Sequence, residues 1–112
     1  MKRIAIAEPE GVALDWAVAA ATWPGGMSSE FNKLFWEIGF KPTTDWSQCG
    51  PLIERYKVGI EQTREEAYAY TPEEPLCGFF DHRPRVAACR AIVASHNPDG
   101  FVEVPDELVE ES

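Results

Sequence analysis

Between Gly11 and Trp23 the chain carries one charge, Asp15, in a run otherwise made of apolar and small residues. Val12, Trp16, Ala19, Ala20 and Trp23 form one stripe at helical spacing, and Leu14, Ala17, Val18 and Ala21 fill much of the remaining surface. A helix apolar on nearly every side must be covered on more than one side. The run is also shorter than the roughly 20 apolar residues needed to span a bilayer. It therefore belongs inside a folded domain. Glu8-Pro9-Glu10 reads as its start, with proline tolerated in a first turn and acids facing the positive end of the helix dipole. Pro24-Gly25-Gly26 reads as its stop.

A second helix is predicted over 84–96, opened by Pro84 and ended by Asn97-Pro98. Short extended segments surround these two helices. Ile4 and Ile6 share one side of a strand at the start of the chain, and Val58, Ile60 and Gln62 alternate as a strand. Residues 66–70 alternate Ala with Tyr as its hairpin partner, although the local propensity of Glu65-Glu66-Ala67 also permits helix. Leu34, Trp36, Ile38 and Phe40 fall on one face at period two, which predicts a strand, with a short helix as the alternative. Residues 41–50 read as a polar loop, and Gly50-Pro51 opens a short helical turn through Tyr56. Residues 71–83 read as an exposed connection in which 76–80 pair briefly. Phe101 to Val104 is an edge strand ended by Pro105. Two long helices among strands without regular βαβ alternation predict an α+β domain, a small antiparallel sheet packed with helices at about 11–23 and 84–96. The expected organisation is a single domain over 1–108 with a frayed tail at 109–112.

The 112 residues include four Trp, six Phe and three Tyr, enough apolar material for one core. The net charge of −9 is uneven: residues 1–58 carry −1 and residues 59–112 carry −8. A field of that sign repels phosphate backbones and anionic headgroups, so neither direct nucleic-acid binding nor membrane binding is expected. The N-terminus lacks the charged and apolar regions of a signal peptide. Cys49, Cys77 and Cys89 are odd in number and widely spaced, which fits reduced thiols in the cytoplasm.

Few residues form a chemical signature. Cys77, His82, Cys89 and His96 have metal-ligand chemistry, but their spacing matches no zinc pattern, and Cys89 and His96 stand about 10 Å apart along one helix. No nucleophile signature surrounds any cysteine, and no phosphate-cradling glycine motif is present. No cofactor is expected. Thr43, Thr44, Asp45, Trp46, Ser47 and Gln48 are more suggestive, since they gather hydrogen-bonding side chains around an indole on a polar loop. The same residues also suit a turn stabilised by its own side chains, with Trp46 plugging the core. Asp15 and Arg90 are each the lone charge in an apolar helical stretch. Both are expected to be buried and paired, most simply with each other, with Asp45 or Glu54 as alternative partners for Arg90.

Several blocks resemble the NinX-type family of small phage and prophage proteins. They are Ala13-Leu14-Asp15-Trp16-Ala17-Val18-Ala19, Pro42-Thr43-Thr44-Asp45-Trp46-Ser47-Gln48-Cys49-Gly50-Pro51-Leu52-Ile53-Glu54-Arg55, Arg90-Ala91-Ile92-Val93-Ala94-Ser95 and Val102-Glu103-Val104-Pro105-Asp106-Glu107-Leu108. Cys49 stands where the family has glycine, and 64–82 differs from the family's Trp- and Gly-rich hairpin. The resemblance implies a phage-derived accessory protein and assigns no chemistry to any residue. The expected role is a non-enzymatic module that binds a protein partner in the host cytoplasm through residues 43–48. The alternative is an acidic DNA mimic using Glu65, Glu66, Glu73, Glu74 and Asp81; an unrecognised enzyme is the third reading.

Overall fold

The computed structural model describes residues 1–23, 28–73 and 78–108. Helix α4 (Pro84–His96) is the element on which the others are laid. Pro84 sits in its first turn, where the missing N–H has no helical partner to lose. Val86 to Val93 are buried without a break, more than two turns, so the helix is covered all round. Its alanines at 87, 88 and 91 let neighbours approach closely. Helices α1 (Gly11–Thr22) and α3 (Trp46–Tyr56) and a three-stranded sheet all pack on it.

In α1 the residues from Ala13 to Ala19 are buried, as the apolar run requires. The helix begins at Gly11, which takes a left-handed φ of 55°, so Pro9 stands outside the first turn rather than within it. Trp23 ends the helix in an extended conformation, the preference of a residue that precedes proline.

The strand expected through Leu34, Trp36, Ile38 and Phe40 is overturned: Ser29–Ile38 is helix α2. Ser28 caps it by accepting the Phe31 N–H, and Gly39 closes it in a left-handed turn at φ 68°. Phe35 is its buried residue and sits among Trp23, Trp36 and Phe40. Leu34, Trp36 and Ile38 are exposed. The loop read over 41–50 is also shorter than expected, because α3 begins at Trp46, ahead of Gly50-Pro51. Pro51 lies inside the helix. Lys57 ends it in the left-handed region at φ 54°.

Strands β2 (Gly59–Gln62), β3 (Ala67–Tyr70) and β4 (Phe79–Asp81) form an antiparallel sheet in that order. β4 falls later than the 76–80 segment expected, and Leu76 and Cys77 lie outside the described residues. A separate antiparallel pair joins β1 (Lys2–Ala5) to β5 (Phe101–Val104), with Ile4 opposite Val102. The antiparallel structure is therefore two small sheets rather than one, and the class is α+β. The tail at 109–112 lies outside the described residues.

The two faces of the larger sheet differ. Ile60, Ala69 and Phe79 join the core against α4. Register and alternation place Gly59, Glu61, Glu66, Tyr68, Tyr70 and Phe80 on the other face. There the Tyr68 ring lies 4.6 Å from Phe80 and 5.6 Å from Tyr70, centroid to centroid.

Candidate functional site

The connection from α2 to α3 is built from its own side chains. Lys41 turns the chain, its carbonyl accepting the N–H groups of Thr44 and Asp45. Gln48 reaches back along it: its Oε1 accepts the Lys41 N–H at 2.6 Å, and its Nε2 donates to the Gly39 carbonyl at 3.3 Å. Asp45 caps α3, accepting both the Ser47 N–H at 2.9 Å and the Ser47 hydroxyl at 2.6 Å, and these bonds hold its carboxyl below the usual range. Thr43 is buried and donates its N–H to Asp15 at 2.9 Å.

Of the six residues named from sequence, then, Thr43, Asp45, Ser47 and Gln48 organise the connection, while Thr44 is exposed. Trp46 does not plug the core. The residue is 47% exposed, and the Arg85 guanidinium lies 5.1 Å from the ring centroid. Arg85 also donates to the Thr43 carbonyl at 3.3 Å, which fixes it against the connection. Sequence reasoning missed Arg85, because nothing local to the first turn of α4 signals a partner so distant along the chain.

Asp15 and Arg90 are both buried, at 3% and 6% exposure, but they do not pair with each other. Asp15 faces the connection and takes the Thr43 N–H; burial raises its pKa. Arg90 instead donates to Asp81 at 3.1 Å and to the Pro9 carbonyl at 3.1 Å. Neither Asp45 nor Glu54 is its partner. Asp81 also accepts from Arg83 at 2.9 Å, and Arg83 reaches on to Glu10. Hydrogen bonding to Arg83 is the main cause that holds the Asp81 carboxyl down at about 2. This network ties the end of β4 to α4 and to the approach to α1.

The candidate metal set is not assembled among the described residues. His82 lies beside Asp81, and His96 bonds the Ile92 carbonyl and packs edge-on to Tyr56. Cys89 and Cys49 are buried free thiols in contact; the hydrogen bond to Cys49 and burial push the Cys89 thiol far up. Cys77 lies outside the described residues. An open hollow of about 430 Å³ borders α1, β5 and the end of α4, but its Arg3 is bonded to Asp99 at 2.7 Å and covers Phe101.

Among the described residues no helix is long and apolar enough to cross a membrane. A search of curated proteins finds no match to the chain. A family model described as bacteriophage P22 NinX matches residues 5–96, a span that runs from the end of β1 through α4 and includes Asp15, Trp46, Asp81, Arg85 and Arg90. With most of its length inside that match, the chain belongs to the NinX family of bacteriophage proteins.

Proposed function

We propose that this phage accessory protein is a single-domain, non-enzymatic module that binds a protein partner in the host cytoplasm, with Trp46 as its anchor. The observation that carries the reading is the half-exposed indole on a connection whose other side chains hold it in place. Tryptophan and arginine dominate the energetics of protein interfaces, and a ring already backed by a guanidinium loses little freedom on binding. The DNA-mimic alternative is weakened because Asp81 is neutralised by Arg83 and Arg90 and so is withdrawn from any array of surface charges.

The test is capture of host proteins on immobilised wild-type chain and on Trp46→Ala. The variant should keep a folded circular-dichroism spectrum, because the ring is half in solvent, and should lose at least about 2 kcal/mol of affinity for a captured partner. Capture should persist at high salt, since an aromatic contact is not screened. Equal retention by a folded variant removes Trp46 from the interface. Release of every partner by salt favours the mimic instead.

A further inference from the structure

The aromatic row on the outward face of the β2–β3–β4 sheet has no part in the core or in the Trp46 connection. Two glycines make it possible. A Cβ at Gly59 would collide with the Tyr70 ring, and one at Gly78 would collide with the Ala69 carbonyl and the Tyr68 ring. Each tyrosine ring thus lies against a glycine where a larger residue has no room, and the Gly78 N–H donates to the Tyr68 hydroxyl at 2.9 Å. Phe80 continues the row and is 60% exposed, a large apolar side chain turned to solvent from a strand that places its neighbour Phe79 against the core.

The chemistry around the row has one sign. Glu61 stands opposite Tyr68, and Glu66 precedes it on the same face; both are exposed. Residues 59–73 contain four acids against one base, Arg64. Aromatic rings present negative faces that attract cations, and neighbouring carboxylates accept hydrogen bonds from them. A second copy of this chain would bring like charges together, and a nucleic acid would be repelled. Guanidinium meets both features at once, because it stacks flat on aromatic rings and forks to carboxylates, whereas an ammonium is a compact, strongly hydrated charge.

We propose that this sheet face docks an arginine-bearing peptide segment of a partner protein. The inference rests on the protein-binding reading and names the chemistry of the partner at a second surface. In an extended segment, alternate side chains point to one side about 7 Å apart, so successive arginines can lie along the row.

The test is a titration of the full-length, ¹⁵N-labelled chain with an octapeptide of alternating glycine and arginine, and with the corresponding glycine–lysine peptide. The arginine peptide should shift amides of β2, β3 and β4, its own side-chain methylene protons should move upfield under the rings, and it should bind about two- to fivefold more tightly than the lysine peptide. Phe80→Ala should abolish that preference without unfolding the chain, and Glu61→Gln with Glu66→Gln should weaken both peptides. Equal affinity for the two peptides, a preference that survives Phe80→Ala, or no shifts on the sheet would overturn the proposal. Shifts confined to residues 41–48 and Arg85 would also overturn it while leaving the protein-binding reading intact. Failure of that reading is scored separately, by capture with Trp46→Ala.

Discussion

Removing the Asp81 side chain leaves the Arg90 guanidinium buried with only the Pro9 carbonyl, so Asp81→Ala is expected to cost about 3–5 kcal/mol in urea denaturation. Arg90→Met should cost less, because Asp81 keeps Arg83. Combined, the two changes should fall short of additivity by about 1–3 kcal/mol. Asp15→Asn with Arg90→Met should add within about 0.5 kcal/mol, since those side chains hold different partners. Coupling in the second cycle and none in the first would reverse the assignment. The burial of both charges was legible, since a lone charge in an apolar helix has few other fates. Their partners were not. Asp81 sits in a stretch of prolines, glycine and acids that reads as exposed connection, and only the return of the chain against α4 turns it inward. Trp46 was legible as conspicuous, but its stacking on Arg85 depends on the packing of α3 against α4.

The helices show which local signals decide. In α2 the alternation of Leu34, Trp36, Ile38 and Phe40 pointed to a strand, yet Phe31, Leu34, Phe35 and Ile38 also fit helical spacing, and the capping residues Ser28 and Gly39 settle the competition. Ser28→Ala should therefore destabilise the fold by about 1 kcal/mol. Lys57→Gly should stabilise it by about 1 kcal/mol, because a non-glycine residue at φ 54° carries left-handed strain. Both are read from chemical-denaturation midpoints. An inert Ser28→Ala would show that aromatic packing alone holds α2. The helices at 11–22 and 84–96 were legible because long apolar runs flanked by proline leave little choice. The division into two sheets was not, since short strands carry no record of which neighbour they join.

For the molecule as a whole, two carboxyls, Asp81 and Asp15, pull the pH dependence of stability in opposite directions. Asp81 is held at about 2 against an ordinary 3.8, so its contribution is complete above about pH 4 and is lost as pH falls toward 2. Its nearly buried side chain makes that loss of order 1–2 kcal/mol. Asp15 has a raised pKa, so it costs stability as pH rises through the carboxyl range, and acid relieves that cost. Urea midpoints measured from pH 6 to pH 2 should fall less steeply in Asp81→Asn and more steeply in Asp15→Asn than in the parent chain. The reverse order would mean that burial and pairing have been assigned to the wrong carboxyls. The acidic second half, legible from the start, sets the sign of the surface but not its texture. The row of Tyr68, Tyr70 and Phe80 emerges only when register brings three strands together. The pairing of β1 with β5 also sets a clock. On a ribosome β1 emerges before β5, and at about 5–20 residues per second its partner follows some 5–20 s later. Through that interval Ile4 and Ile6, both buried in the finished fold, have no β5 to cover them. The nascent chain must carry that sticky edge unpaired, and β5 is the strand that retires it.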